Sequence, residues 1–288
     1  MRRRGHGLAL LLASVALVGG CIAVLLLLQS RAGGAPTGRL LVYCAAGLQK
    51  PVSELAEEYR RESGIEVQLQ YGGTGTLLCT IAVVRVGDCF LTADESTVGL
   101  ARQQGLVAAT LPLARQHPVI GVPAGNPLRI SGLADLVRPG LRLGLANPDA
   151  AAISKLARSV LTPLGRWQPL LDAARVLKPT VKDIANDIRL GAIDAAIVWD
   201  VTVVEYAGAL SAVEMPEFSG ISEQAMAVVL TVGSQPTAAL SFARFCATPE
   251  HGGLIFARHG YARASAVPAS TPSPPAPPPG GQDAAHGR

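Results

Sequence analysis

The chain has 288 residues, 49% of them hydrophobic and 16% charged, with a formal net charge of +4 at pH 7. That apolar content excludes a wholly disordered chain, and the length allows one or two domains with ample core. The excess charge lies at the ends: residues 39–261 carry 19 basic and 20 acidic side chains, so the central part lacks the basic stripe of a nucleic-acid-binding domain.

Residues 8–28 form an uncharged run of 21 residues behind Arg2, Arg3 and Arg4, about the length of a bilayer-spanning helix. The arginines would hold the N-terminus in the cytoplasm, which exports everything after Ser30. Residues 1–32 read as an uncleaved anchor, as a lipoprotein signal acylated at Cys21, or as a signal cleaved near Ala32. Residues 40–44 then predict an apolar strand. Pro51 opens a helix in which Val52, Leu55, Ala56 and Tyr59 fall at helical spacing, and Gly64 ends it. Ile65, Val67 and Leu69 alternate with polar residues as a second strand. The loop 71–75 precedes a helix through Leu77, Leu78, Ile81 and Val84. A strand over 89–93 leads to a helix that starts at Asp94 and ends near Gly105. The strand 118–123 runs into Gly125-Asn126-Pro127, a natural boundary.

A second series follows, with a strand over 141–146, helices over 150–164 and 181–190, and a buried strand over 195–200. An apolar strand over 224–232 precedes two helices that begin near Pro236 and Glu250. Strand alternating with helix argues for an α/β fold with parallel sheets. The simplest assembly has two lobes, 39–118 plus 223–262 and 119–222, with two chain crossings between them. A cleft between such lobes is a preferred ligand site. Residues 263–288, rich in proline and without apolar periodicity, read as an extended or disordered tail.

Cys44, Cys79, Cys89 and Cys246 each sit in an apolar stretch and are expected as small buried hydrophobes. Export would permit Cys79–Cys89 or Cys44–Cys89 as a disulfide, and no Cys/His spacing suggests zinc. His117, His251 and His259 stand apart from any nucleophile motif. Asp183 and Asp187, one helical turn apart, have a spacing that suits a metal but read first as a solvated face. Glu57, Glu58, Arg60, Arg61 and Glu62 read the same way. Trp199-Asp200, at the end of the buried strand, is either a core Trp with a helix-capping Asp or part of a cleft.

Three loops follow strands and open helices, at residues 45–48, 72–76 and 147–151. Free backbone N–H groups and the positive end of a helix attract anions there. Glycine lets the backbone approach a small ligand closely, and Thr74 and Thr76 add hydroxyl donors. Neither a Walker loop nor a dinucleotide fingerprint is present.

In order along residues 40–261, several segments resemble molybdate-binding proteins of ABC transporters. They are Leu41-Val-Tyr-Cys-Ala-Ala-Gly-Leu48, Tyr71-Gly-Gly-Thr-Gly-Thr-Leu77, Gly87-Asp-Cys-Phe-Leu-Thr-Ala-Asp94, Leu145-Ala-Asn-Pro-Asp149, Ile193-Asp-Ala-Ala-Ile-Val-Trp-Asp200 and Phe256-Ala-Arg-His-Gly-Tyr261. The resemblance implies a two-lobed type II periplasmic-binding-protein fold in which each lobe is a mainly parallel sheet flanked by helices. It also implies capture of molybdate, tungstate or a similar tetrahedral oxyanion for an ABC permease, by a periplasmic monomer with no cofactor, no nucleic-acid partner and no catalysis. Carried over by position, the ligand residues are Gly47, Thr74, Gly75, Thr76, Ala151, Val181 and Trp199, with Asp200 as a candidate carboxylate on the metal. Gly47 stands where a serine is usual in that family and Trp199 where a tyrosine is usual, which leaves the identity of the anion open. The same fold binding sulfate, phosphate, iron or an organic acid is an alternative, and so is a ligand-sensing domain of a signalling system.

Overall fold

The computed structural model describes residues 38–264. The leader and all but the first two residues of the proline-rich tail lie outside them, so the expectations for an anchor, for Cys21 and for the tail have no counterpart here. Among the described residues no helix is long and apolar enough to cross a membrane.

Two mixed sheets organise the described residues. The first contains β1 (Arg39–Ala45), β2 (Glu66–Gly72), β3 (Cys89–Thr92), β4 (Val107–Gln116), β10 (Glu223–Leu230) and β11 (Ala262–Arg263), in the order β11-β4-β10-β3-β1-β2. The second contains β5 (Pro118–Pro123), β6 (Leu143–Ala146), β7 (Ala174–Lys178), β8 (Ala195–Trp199) and β9 (Leu210–Val213), in the order β7-β6-β8-β5-β9. Strands β1, β2 and β3 run parallel, as do β6, β7 and β8, whereas β10, β11, β5 and β9 pair antiparallel. The sheets are therefore mixed, which the strand-helix alternation alone did not foretell.

The first sheet is covered on both faces, and the period of two along its strands sorts the side chains. Val42 and Cys44 of β1, Leu91 of β3 and Ala227 of β10 pack into one core. Tyr43, Phe90 and Val228 pack into the other, against Leu77, Leu78 and Ile81. A side chain the size of Phe90, which has no exposed surface, contributes roughly 1.5–3 kcal/mol on burial. The helices α1 (Gln49–Ser63), α2 (Thr74–Val84) and α3 (Glu95–Gln103) connect the early strands. Gly64, with φ of 75°, closes α1, where a left-handed residue is least costly as glycine. In the second half α4 (Ala152–Leu161), α5 (Trp167–Ala173), α6 (Val181–Arg189) and α7 (Asp200–Glu205) flank the sheet. The last helices are α8 (Pro236–Ala247) and α9 (Leu254–Arg258).

Strand β4 is the largest element that the sequence pattern left unassigned. Its segment Val107-Ala-Ala-Thr-Leu-Pro-Leu-Ala-Arg-Gln116 alternates weakly and carries an internal proline, which argues against a strand inside a sheet. A register shift between Ala225 and Met226 of β10 falls opposite Pro112 and Ala114, and an irregularity of this kind lets a ladder accept proline. Strands β7 and β9, at the two edges of the second sheet and only partly buried, lack the apolar runs that mark β6 and β8. Helix α2 begins at Thr74 rather than after residue 75, with Gly73 as its N-cap. Helix α4 is confined to Ala152–Leu161, short of the 150–164 that periodicity suggested.

All four described cysteines are unpaired. Cys44, Cys89 and Cys246 are buried, and burial pushes their thiols up, away from the reactive thiolate. Cys79 is exposed, contrary to the expectation of a buried position, because it falls on the outer face of α2, away from Leu77, Leu78 and Ile81.

The chain passes from β4 to β5 through His117 alone and returns from β9 to β10 through a short helical turn, Pro216–Phe218. At the first crossing Asp200 accepts from the His117 backbone N–H at 3.0 Å and pairs with its Nδ1 at 2.8 Å. The Asp200 N–H in turn donates to the His117 carbonyl at 2.9 Å.

Candidate functional site

A small, open cleft lies where the carboxyl ends of strands from both sheets meet. The first half contributes Ala45, Ala46 and Gly47 after β1, Gly72, Gly73 and Thr74 after β2, and Ala93 after β3. The second half contributes Ala151, Ala152 and Ile153 at the start of α4, Thr180 and Val181 at the start of α6, and Trp199 at the end of β8. None of these side chains is charged. The hydroxyls are those of Thr74, 2% exposed, and Thr180.

The helix starts decide what such a lining can hold. Helices α2 and α4 begin at the cleft with Gly73 and Ala151 as N-caps, and neither receives a side-chain cap. The first N–H groups of a helix have no partner within it and carry the positive end of the helix dipole. Helix α3 differs, because Asp94 accepts from the Thr97 N–H at 2.8 Å. Helix α6 is closed by a capping box in which Thr180 and Asp183 bond reciprocally, leaving its first residue, Val181, at the cleft wall. Unpaired donors facing a wall of glycine, alanine and two threonines suit a small anion bound without a countercharge.

Charged groups tie the halves together outside the cleft lining. Lys155 of α4 reaches Asp94 at 2.9 Å, and the Asp94 side chain is 2% exposed. Lys182 of α6 pairs with Glu205 at 2.6 Å and donates to Gln49 of α1 at 3.3 Å. Lys50 lies 3.6 Å from the same Glu205 carboxylate. The Gly75 N–H donates to the Ala150 carbonyl across the gap at 2.8 Å. Tyr261 donates its hydroxyl to the Gly47 carbonyl at 2.8 Å, and burial keeps that phenol protonated by raising its pKa.

Residues 40–262 match the family model for bacterial extracellular solute-binding proteins. The chain belongs to that family. A binding protein of Haemophilus influenzae is 30% identical over 159 residues, which is 55% of this chain and 65% of that one. The molybdate-binding protein ModA of Mycobacterium tuberculosis is 27% identical over 265 residues, 90% of this chain and 99% of its own. Among solved structures, the periplasmic molybdate-binding protein of Azotobacter vinelandii aligns with a TM-score of 0.66 at 21% identity, covering 77% of this chain and 98% of that one. The Mycobacterium tuberculosis sulfate-binding protein SubI aligns with a TM-score of 0.65 at 18% identity, covering 78% and 86%. At those identities the structural likeness establishes the periplasmic-binding-protein fold.

Of the residues singled out from sequence, this solute-binding protein brings Gly47, Thr74, Ala151, Val181 and Trp199 to the cleft wall. Gly75 and Thr76 are not part of it. Gly75 spends its N–H on the Ala150 carbonyl, and Thr76 is exposed. The Asp200 carboxylate is engaged by His117. Trp199, not Asp200, is the N-cap of α7. Asp183 closes the capping box and Asp187 pairs with Lys178 at 3.1 Å, so their helical spacing builds no shared site.

Gly73 belongs to the loop 72–76 expected to seek an anion, whereas Thr180 as a wall residue and the bridge from Lys155 to Asp94 are not foreshadowed in the sequence. A Cβ on Gly73 would lie 2.6 Å from the Ala150 carbonyl oxygen and 2.8 Å from that of Pro179. Thr180-x-x-Asp183 is a readable capping signal, but nothing in the sequence states which helix it faces.

Proposed function

We propose that the protein captures molybdate, or a tetrahedral oxyanion of like size and charge such as tungstate, in this cleft and delivers it to an ABC permease. The observation that carries the reading is the convergence of two uncapped helix starts, α2 and α4, on an uncharged wall. Full-length similarity to a mycobacterial ModA supports molybdate in particular.

In this reading Thr74 donates its hydroxyl and the backbone N–H groups at Gly47 and Val181 complete the cage with the start of α4, where Ala151 lines the wall while its own N–H donates to the Asn147 carbonyl at 2.8 Å. Trp199 closes one side, with Gly75 and Thr76 in supporting positions. The two halves, 39–118 with 223–262 and 119–222, close on the ligand about the two crossings near His117 and Pro216–Phe218. The domain works outside the cytoplasm, held at the membrane by the leader or by lipid at Cys21, as a monomer without a catalytic role.

Calorimetric titration with molybdate, tungstate, sulfate and phosphate tests the assignment. Heat with molybdate and tungstate and none with sulfate is the expected pattern. Silence with all four ends the oxyanion reading, and a preference for sulfate moves it toward the solute named for the second structural relative. Thr74→Ala should weaken binding at least tenfold and Thr76→Ala less than about twofold, since a hydrogen bond to a charged group contributes about 1.5–3 kcal/mol. Equal effects of the two substitutions would place the anion elsewhere.

A further inference from the structure

Away from the cleft, α1 presents Glu58 and Glu62 one helical turn apart, and the turn Pro249–Gly253 between α8 and α9 brings His251 against them. The His251 Nδ1 lies 3.1 Å from Glu58 Oε1 and 3.8 Å from Glu62 Oε1. All three potential ligand atoms fall within 4.8 Å of one another. The imidazole is held in place, stacked on Phe245 with ring centroids 4.0 Å apart at 24°, and Phe245 is itself packed edge-on against Tyr59 of α1.

The turn that carries His251 is π-helical, a rare conformation that recurs at functional sites. A side chain at Gly252 would overlap the Cys246 carbonyl, so the turn is pressed onto the end of α8. Like charges at this spacing on one helix face repel. Two nearby basic side chains are committed elsewhere, Arg258 and His259 both contacting Glu54. An open hollow lies beside Glu58, His251 and Arg258, leaving room for water on the far side of an ion.

We propose that Glu58, Glu62 and His251 form a binding site for a divalent first-row transition ion of the Zn²⁺ type. Two carboxylate oxygens and one imidazole nitrogen match the donors that zinc accepts, and remaining positions would go to water. The imidazole favours such ions over magnesium or calcium, which take oxygen ligands. Tetrahedral ligand bonds of about 2.0–2.2 Å set donor atoms about 3.3–3.6 Å apart, so the His251–Glu58 pair at 3.1 Å is already close and the wider contacts close by side-chain rotation. Because the ligands come from α1 and from the turn before α9, the bound ion would clamp that turn onto α1 within the same half.

The test is Zn²⁺ titration of the purified full chain stripped with EDTA, read by calorimetry and by thermal unfolding. Wild type should bind Zn²⁺ at this site and unfold at a higher temperature with the ion than without it. His251→Gln and Glu58→Gln should each weaken that binding at least tenfold and remove the thermal shift, while His259→Gln keeps both. Glu62→Gln, at a half-exposed position, gives a variant whose folding is least at risk and should weaken binding at least threefold. No Zn²⁺ binding by wild type, or wild-type affinity and equivalents in His251→Gln and Glu62→Gln, would overturn the proposal.

Discussion

Gly73→Ala is the sharpest test of how the two halves meet. The added methyl would stand 2.6 Å from the Ala150 carbonyl oxygen and 2.8 Å from that of Pro179. Carbon and oxygen tolerate contact at about 3.3 Å. Both obstructing atoms are backbone, so no side chain can swing aside, and the halves must part by roughly 0.5–0.7 Å. That displacement stretches the Gly75 N–H to Ala150 carbonyl bond from 2.8 Å to about 3.3–3.5 Å, outside the usual 2.7–3.2 Å range, which forfeits most of it. The lost bond costs about 1 kcal/mol, and residual overlap costs about 1–3 kcal/mol. Together these predict at least about 30-fold weaker oxyanion binding at 1.4 kcal/mol per decade. Gly72→Ala, one residue earlier, meets only the Leu77 side chain at 3.0 Å and should stay within a few-fold of wild type. Calorimetry reads the affinity, and small-angle scattering of the unliganded protein reads the separation of the halves without reference to any ligand. Wild-type affinity together with an unchanged scattering profile in Gly73→Ala would refute the closed contact.

A second prediction concerns Glu223, whose carboxyl is pushed up to about 7 chiefly by burial and secondarily by the charge of Asp94, opposed by the hydrogen bond from the Glu95 backbone N–H and by Lys155, with the Glu95 charge adding a smaller push. Between the ordinary 4.5 and about 7 the folded chain keeps a proton that the unfolded chain has released, so this group lowers stability as pH rises through that window. Glu223→Gln should therefore raise the unfolding midpoint at pH 8 and leave it unchanged below pH 4. Partial solvent exposure scales the gain to on the order of 1–2 kcal/mol, and an equal gain at both pH values would contradict the assignment. Trp199 lines the cleft whereas Trp167 does not. Fluorescence of Trp167→Phe should still respond to the oxyanion, and that of Trp199→Phe should not; the reverse pattern would remove Trp199 from the site.

Local order was written in the residues. Val52, Leu55, Ala56 and Tyr59 sit at helical spacing because one face of α1 must be buried, and all four are. Asp94 reads as a helix start because its carboxylate can satisfy an N–H that the helix itself leaves open. The glycine-rich turn after β2 and the start of α4 were legible as anion-seeking backbone for the same reason. Pairings and approaches between distant segments were not legible. Strand β4 exists because β10 shifts register to accept Pro112, and no local pattern in 107–116 encodes that partner. Glu58 and Glu62 look like a solvated face until a turn 193 residues after Glu58 sets His251 beside them. Gly75 and Thr76 look equivalent to Thr74 in the sequence, yet the approach of Ala150 consumes one and the helix rotation exposes the other. The sequence alone determined the α/β class, the helix starts and the near-neutral charge of the domain, since these depend on neighbours a few residues apart. Only the tertiary structure decided which helix starts face the cleft, which glycines the halves require, and which charges meet, because each depends on how two sheets far apart in the chain come into contact.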